Sequence, residues 1–253
     1  MTDARTLAYI NLYGILGSLE NLCELDPKAS ELAKVKKPVT IGIDVTGGPS
    51  ATLIFKNGHC RMEQGIENCQ VLLPFGSCEK FNGLIDGTVT PLPVKGFSKI
   101  GFLLKNFTKL TDILSGYLQP ADPTLLDDPT FFEISTKLMF NLITVAISQI
   151  ANNDNIGMFS ASNTPDGIVE MSIKGVCSST IRVRDHHFVT IKQAPESYRA
   201  KMEFGDIHLA RDLFDGKVNA LACIGMGTIT MSGLCSMLDN VNRILDRVGL
   251  YLA

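Results

Sequence analysis

An internal repeat constrains the fold of this chain more than any other feature of its 253 residues. The stretch 75–87 recurs 129 positions later as 204–216, each beginning with Phe-Gly and ending with an apolar pair followed by Asp-Gly. At the same spacing, Gly96 falls on Gly225. Self-similarity at a fixed spacing is typical of duplicated structural units. We therefore expect two copies of one domain.

The repeat extends upstream with spacings that differ by only one position. Alternating apolar residues match at a spacing of 128, and the pair Asn11-Leu12 matches Asn141-Leu142 at 130. Such differences require only short changes in turns. We place the first domain at 1–122 and the second at 123–253, because two prolines interrupt any helix in Gln119–Pro123. Chance similarity of two α+β stretches is the alternative.

Each copy is predicted to begin with a long helix, Ala4–Leu22 or Thr130–Ala151, which is followed by short strands. In the second copy Asp128 can serve as the N-cap of this helix with Pro129 at the first helical position, and in the first copy Asn57-Gly58 is predicted to form a two-residue turn between strands. The first copy then has a helix ending at Gly87, and the second a helix ending at Gly216. A last strand and a closing helix complete each copy, and the stretch Asn152–Asp166 is predicted as a surface loop. Strands followed by helices indicate an α+β fold with a mainly antiparallel sheet. The predicted strands are Val39–Val45, Ala51–Lys56, His59–Glu63, Cys69–Pro74 and Phe97–Leu103 in the first copy, and Ile168–Lys174, Ser179–Arg184, Phe188–Gln193, Ala200–Glu203 and Thr228–Ser232 in the second.

Composition excludes several classes of protein. A hydrophobic content of 45% supplies enough apolar material for a packed core. The 23 basic and 26 acidic residues give a net charge of −3, which is too balanced for a nucleic-acid-binding surface, so no nucleic-acid partner is expected. The seven cysteines contain no Cys-x-x-Cys pair and predict neither a disulfide framework nor a zinc site. We expect a cytoplasmic protein with reduced thiols, since the N-terminal stretch matches neither a signal peptide nor a membrane span.

Residues that indicate catalysis are few. Three of the four histidines, His59, His186 and His187, fall at predicted hairpin turns. The chain has no Gly-x-Ser-x-Gly elbow and no phosphate-binding loop, and Gly225-Met226-Gly227 precedes a strand rather than a helix. The sequence therefore predicts no catalytic residue, no metal site and no cofactor.

Large, soft apolar side chains are concentrated at the end of each copy. Such a tract is typical of an ordinary core, but a last strand with a Phe-rich or Met-rich closing helix also walls an adaptable apolar cavity. Both interpretations remain open at this stage. The side chains are Phe97, Ile100, Phe102, Leu104, Phe107, Leu110, Ile113 and Leu114 in the first copy, and Met226, Ile229, Met231, Leu234, Met237, Leu238, Ile244 and Leu245 in the second.

This tract resembles the sterol-carrier-protein-like lipid-binding family. The stretches 215–221 and 227–233 are similar to that family's run of Gly-Lys-Leu-Asn-Pro-Met, a short helix and Gly-Lys-Ile-x-Ile-x-Gly. The first copy matches more loosely, because 87–92 keeps the proline whereas 98–102 lacks the flanking glycines. The resemblance covers about 100 residues of each copy, and its motifs are short.

The resemblance implies a five-stranded sheet in each copy, covered by helices around an apolar tunnel that accepts a fatty acyl chain, a sterol or another lipid. It implies no catalysis of its own. The ligand-binding residues expected on this basis are Phe81, Leu84, Ile100, Phe102, Phe107 and Leu110 in the first copy, and Leu209, Leu213, Met226, Ile229, Met231, Leu234 and Leu238 in the second.

We therefore expect a tandem-domain protein that binds a hydrophobic small molecule and transfers or presents it, with transient membrane contact. A first alternative is an accessory or interaction module in which the two halves form an intramolecular pseudo-dimer with filled cores. A second alternative is an enzyme acting on acyl substrates through Cys78 or His208.

Overall fold

The computed structural model describes residues 2–252 and divides the chain into two compact units, unit 1 up to Ile134 and unit 2 from Ser135. The division falls inside a long helix whose first turn belongs to unit 1. There the ring of Phe131 stacks on Tyr117, with centroids 4.6 Å apart. The boundary predicted at residues 122 and 123 stays a prediction.

Unit 1 begins with a helical stretch, continues with four strands and ends with a second helical stretch. The first stretch consists of α1 (Ala4–Tyr9), a π-helical turn at Ile10–Ile15, a 3₁₀ turn at Leu16–Ser18, α2 (Leu19–Leu25) and α3 (Pro27–Leu32). The strands are β1 (Val39–Val45), β2 (Ser50–Lys56), β3 (His59–Gln64) and β4 (Val71–Phe75), and α4 (Cys78–Ile85) follows them. The second stretch consists of a 3₁₀ turn at Phe97–Lys99, α5 (Ile100–Phe102), a π-helical turn at Leu103–Phe107, α6 (Thr108–Leu118) and a 3₁₀ turn at Pro123–Asp127.

The long helix that crosses the division is α7 (Pro129–Asn153), and Asp128 accepts a hydrogen bond from the amide of Phe131 at its start, as the sequence predicted. Unit 2 continues with five strands and four further helices. Their bounds are α8 (Asn155–Ser162), β5 (Gly167–Ile173), β6 (Cys177–Arg184), β7 (His187–Ile191), β8 (Ala200–Phe204), α9 (Ile207–Phe214), α10 (Ala220–Gly225), β9 (Ile229–Gly233) and α11 (Cys235–Leu252).

Both sheets are mixed. Unit 1 has the strand order β3-β2-β1-β4, and unit 2 has the order β7-β6-β5-β8-β9. The hairpin strands are antiparallel, but β1 pairs with β4 in parallel and β5 pairs with β8 in parallel. Five of the seven strand pairings are antiparallel, as predicted, and each sheet has one parallel pair because a helix-free crossover returns the fourth strand beside the first.

The last strand predicted for unit 1, Phe97–Leu103, is wrong, and its sheet has four strands instead of five. Only an isolated bridge between Leu72 and Lys95 forms beside β4. After Gly96, which has φ +88°, the chain turns into helix. The buried side chains then follow the spacing of a helix face, at Leu103, Phe107, Leu110, Leu114 and Leu118. The apolar tract of this copy thus belongs to its closing helix.

A second prediction also fails, since the stretch Asn152–Asp166 contains α8. Asp154 caps this helix by accepting hydrogen bonds from the amides of Ile156 and Gly157.

The two-residue turn predicted at Asn57-Gly58 is confirmed, and both residues have positive φ.

The structure also corrects the predicted match between Gly96 and Gly225. A Cβ on Gly96 would lie 2.3 Å from the carbonyl oxygen of Gln70, and a Cβ on Gly233 would lie 2.3 Å from that of Arg199. Both glycines have positive φ, and Gln70 and Arg199 each directly precede the matching strands β4 and β8. Gly96 is therefore the counterpart of Gly233. Unit 1 is eight residues shorter than unit 2 between the two pairs of matching glycines, 87 to 96 against 216 to 233, so it has no counterpart of α10, and only the bridge between Leu72 and Lys95 remains in the place of β9.

We expect Gly233→Ala to destabilise unit 2 by about 2 kcal/mol, because the new Cβ meets backbone at a left-handed position. Gly216→Ala is the matched control, since Gly216 also has positive φ but has open space around it. Urea unfolding of the two variants measures the difference. Equal losses would show that φ alone, and not the close approach to Arg199, requires the glycine.

Candidate ligand-binding site

In unit 1, three of the six predicted ligand-binding side chains pack against aromatic rings. The ring of Phe55 lies 5.2 Å from that of Phe102 and 6.1 Å from that of Phe107, centroid to centroid. Phe81 contacts Phe75 edge to face at 5.1 Å. Phe81, Phe107 and Leu110 are buried, whereas Leu84, Ile100 and Phe102 are half-buried. The interior beneath β2 is therefore lined by interlocking rings.

In unit 2 the predicted side chains range from the core to the surface. Ile229 and Leu238 are buried, while Leu209, Leu213, Met231 and Leu234 are half-buried. Met226 is 70% exposed. Met231 stands directly opposite Met202 in the antiparallel register of β8 and β9, so its side chain lies on the same face of the sheet as this core residue.

These half-buried and exposed residues follow the edge strand β9. Met226 precedes the strand, Met231 lies in it and Leu234 follows it. Leu221 on α10 is 77% exposed. The amide of Gly205, just before α9, donates to the carbonyl of Thr228, which joins α9 to the start of β9. We call the set Leu209, Leu213, Leu221, Met226, Met231 and Leu234 the β9 edge.

Buried polar pairs hold the first helical stretch of each unit to the helix that follows its fourth strand. In unit 1, Asn11 Nδ2 donates to Asn82 Oδ1 at 3.0 Å. In unit 2, Arg211 Nη1 donates to Ser135 Oγ at 2.6 Å, and its Nε donates to Asp215. Asn82 and Arg211 are 129 positions apart, but Asn11 corresponds to Asn141 and not to Ser135, so the two equivalent helices are bonded to different points of the first helical stretch.

A second buried polar contact occurs in both units and was missed from the sequence. Asp26 accepts hydrogen bonds from the amides of Lys28 and Ala29 and, at 2.7 Å, from the hydroxyl of Tyr117. Its counterpart in unit 2 is Asp154, which accepts from the hydroxyl of Tyr251 and from Arg247 Nη2, both at 2.6 Å.

The pKa of Asp154 lies below its ordinary value of 3.8. Burial alone raises this pKa, but the hydrogen bonds from Arg247 and Tyr251 favour the ionised carboxylate more strongly. In unit 1, burial and then the hydrogen bond to Asp26 raise the pKa of Tyr117. Asp154 is thus a buried carboxylate held ionised by a guanidinium.

A sequence signal for this contact exists in the closing helices. The pattern Asn-x-x-basic-x-x-Asp-x-x-x-x-Tyr begins at Asn106 and again at Asn240, 134 positions later. Asn106 donates to the carbonyl of Leu32, and Asn240 donates to that of Asn163. This spacing of 134 lies outside the 128–130 positions that relate the other parts of the repeat.

Two cavities are open grooves, and none of the predicted ligand-binding residues lines either of them. The larger one, of 520 Å³, lies between α3 and the closing helix of unit 1, and its lining is Lys28, Glu31, Leu32, Asn106, Lys109, Asp112 and Ile113. The smaller one, of 260 Å³, is lined by Ala151, Asn152, Met158, Ala161, Asp185, His186 and His187. The ligand-binding role of the predicted residues stays a prediction.

The residues considered for catalysis lie in different units and surroundings. Cys78 is buried in unit 1, and this burial raises the pKa of its thiol, which disfavours the nucleophilic thiolate. His208 is exposed on α9 of unit 2. Within residues 2–252, no group of three or more His, Cys, Asp or Glu side chains is arranged to hold a metal ion.

One helix, Pro129–Asn153, is long and apolar enough to cross a membrane by length and composition alone. In its most apolar window, 83% of the residues are buried inside the protein. This burial is typical of a core helix.

The chain is similar to solved structures of sterol carrier proteins. They are domain 2 of the sterol carrier protein of Helicoverpa armigera (12% identity, 43% of this chain, 87% of that chain, TM-score 0.36), the UbiJ-SCP2 ubiquinone synthesis protein (14%, 42%, 94%, 0.32) and sterol carrier protein 2 (10%, 44%, 92%, 0.34). No family model and no curated protein matches the chain. At these identities and TM-scores, the function of this chain has to be inferred from its own residues.

Proposed function

We propose that the protein binds hydrophobic small molecules, such as fatty acyl or sterol-like lipids, and transfers or presents them without catalysis of its own. The observation that carries this proposal is the β9 edge, whose apolar side chains range from half-buried to exposed. Met226 and Leu221 are among the most exposed large apolar side chains of the described residues. Adjacent exposed apolar side chains are typical of lipid-binding or protein-binding surfaces.

The chemistry of the edge suits ligands of variable shape. Two of its six residues are methionines, whose unbranched thioether side chains adapt to irregular apolar surfaces. The exposed positions, Leu221 and Met226, also suit transient contact with a membrane while a ligand is exchanged.

The expected affinity is moderate. Burying about 16 methylene groups at roughly 0.8 kcal/mol each contributes on the order of 13 kcal/mol. Loss of rigid-body and chain freedom costs about 4 to 15 kcal/mol. The difference corresponds to micromolar or weaker binding, which allows a carrier to release its ligand.

We expect the delipidated protein to take up long-chain fatty acids or lysolipids, and the double variant Leu221→Ser/Met226→Gln to bind them at least about tenfold more weakly. Both side chains are exposed, so the substitutions remove ligand contacts and leave the core unchanged. Native mass spectrometry detects the uptake, and titration calorimetry measures the affinity.

Ile191→Gln is the matched control, because Ile191 is an exposed apolar residue on β7, at the opposite edge of the same sheet. It should leave the affinity unchanged. Absence of uptake across several lipid classes would contradict the proposed function, and equal weakening by the control would remove the β9 edge as the site.

A second candidate function, the interaction module, is favoured by the surface of α8. Ile156, Met158 and Phe159 of this helix are 59%, 43% and 67% exposed, and none of its exposed residues is charged. Such a face suits a protein partner. Ile156→Ser/Phe159→Ser should then abolish complex formation while leaving lipid uptake intact.

A further inference from the structure

The groove of 520 Å³ in unit 1 is separate from the β9 edge and is a candidate for a second binding site. Its floor contains Leu32 of α3 and Ile113 of α6, and its rim carries four charged side chains. The volume lies within the range of about 300–1,000 Å³ that is typical of small-molecule sites.

Two lysines on the rim have no acidic partner. Lys28 on α3 and Lys109 on α6 form no ion pair within residues 2–252. Of the two acids, Glu31 is paired with Lys34 at 3.2 Å, which leaves Asp112 as the remaining negative charge. Counted together with Lys34, the groove is surrounded by three lysines and two acids, which is an excess of one positive charge around its apolar residues.

The wall of the groove is fixed in place by a side chain from an irregular turn. Asn106 belongs to the π-helical turn Leu103–Phe107, and its Nδ2 donates to the carbonyl of Leu32 at 2.8 Å. Single π-helical turns inside α-helices occur frequently at functional sites. The bond connects the closing helix to the end of α3 and holds the two walls together.

The equivalent place in unit 2 has different side chains. The position of Ile113 is occupied there by Arg247, 134 positions later, and its guanidinium reaches the buried carboxylate of Asp154. Lys28 is replaced by the exposed Ile156, 128 positions later. Two side chains that give the groove of unit 1 its apolar and basic character, Ile113 and Lys28, are thus replaced in unit 2 by Arg247 and Ile156.

We propose that this groove binds a single-chain anionic amphiphile, with its apolar chain on Leu32 and Ile113 and its carboxylate between Lys28 and Lys109. A carboxylate head group complements the two unpaired ammonium groups, and an apolar chain packs on Leu32 and Ile113 between α3 and α6. The site does not depend on the β9 edge.

The test is titration of the full-length, delipidated protein with palmitate, with hexadecanol as the ligand that lacks the charge. Palmitate should bind at least about tenfold more tightly than hexadecanol. Lys28→Gln/Lys109→Gln should remove this difference, and Ile113→Arg, which introduces the residue of unit 2, should abolish binding at the groove. Hydrogen exchange should show that palmitate protects amides in 27–34 and 103–114.

Arg243→Gln is the matched control, because Arg243 occupies the position of Lys109 in the closing helix of unit 2. It should not change the affinity. Protection confined to 220–234, with wild-type affinity in the three groove substitutions, would overturn this inference and leave the proposed function standing.

Other occupants of the groove would give different results in these experiments. Self-association that Ile113→Arg abolishes, without palmitate protection of 27–34, would assign the groove to a second copy of the chain and overturn the proposal. Loss of binding in Leu221→Ser/Met226→Gln together with full binding in Ile113→Arg would do the same. Absence of palmitate binding to the wild-type protein would overturn it as well.

Discussion

Replacing Asp154 with alanine is expected to destabilise unit 2 by about 3–5 kcal/mol, the usual loss when one partner of a buried ion pair is removed. The carboxylate accepts hydrogen bonds from two amides at the start of α8, from Arg247 and from Tyr251. Its removal leaves a largely buried guanidinium without a counter-charge. Arg247 Nε already has no hydrogen-bond partner among the described residues, so few hydrogen bonds remain to stabilise the buried charge of the guanidinium.

Asp26→Ala is the matched variant in unit 1. Asp26 caps α3 and accepts from Tyr117, but no cation takes the place of Arg247, whose position holds Ile113. We expect a loss of about 1–3 kcal/mol, from the cap and one buried hydroxyl. Native-state hydrogen exchange measures the two units separately. Equal losses would show that the ion pair adds nothing to the cap.

The same contact predicts a dependence on pH. Because the folded-state pKa of Asp154 is lowered, its stabilisation is complete above the ordinary value of 3.8 and is lost as pH falls through the folded-state value. The difference in unfolding free energy between the wild type and Asp154→Ala should therefore be largest at neutral pH and shrink progressively as pH falls below 3.8. A constant difference across this range would contradict the ionised state of the carboxylate.

The sequence predicted those parts of the fold that depend on local pattern. Alternating apolar residues placed β1 and β5 within one residue of their bounds, and Asp128 before Pro129 predicted the start of α7. The strand predicted at Phe97–Leu103 failed because a short apolar run fits a strand and a buried helix equally well. What distinguishes them is the turn at Gly96, whose close approach to Gln70 is a tertiary feature.

The candidate sites were only partly accessible from the sequence. The apolar tract predicts a site at the end of each copy, but the degree of exposure separates Met226 from Ile229, three positions away, and depends on neighbouring strands. The groove in unit 1 was not predicted, since it brings Lys28 of α3 beside Lys109 of α6. The 134-residue repeat of the closing helices was hidden because α10 and β9 shift the register between the copies.

Replacing Phe55 with alanine is expected to destabilise unit 1 by about 3–5 kcal/mol, through lost burial and the cavity left behind. Phe55 is fully buried and contacts the rings of Phe102 and Phe107. Its counterpart, 128 positions later, is Val183. Each unit pairs one large with one small side chain across these strands, but in opposite order: Phe55 faces Cys60, and Val183 faces Phe188. Each unit therefore has one phenylalanine ring at this position of its core.

Val183→Ala is therefore the matched control, and removal of two methyl groups should cost about 2 kcal/mol. The new cavity in Phe55→Ala is lined by aromatic and aliphatic groups, and dry apolar cavities of this kind bind benzene or xenon. Hydrogen exchange measures the stability of unit 1, and benzene should restore part of the loss in Phe55→Ala only. If benzene instead stabilised the wild-type protein equally, unit 1 would already contain free apolar space beneath β2, and a lipid tunnel in this copy would regain support.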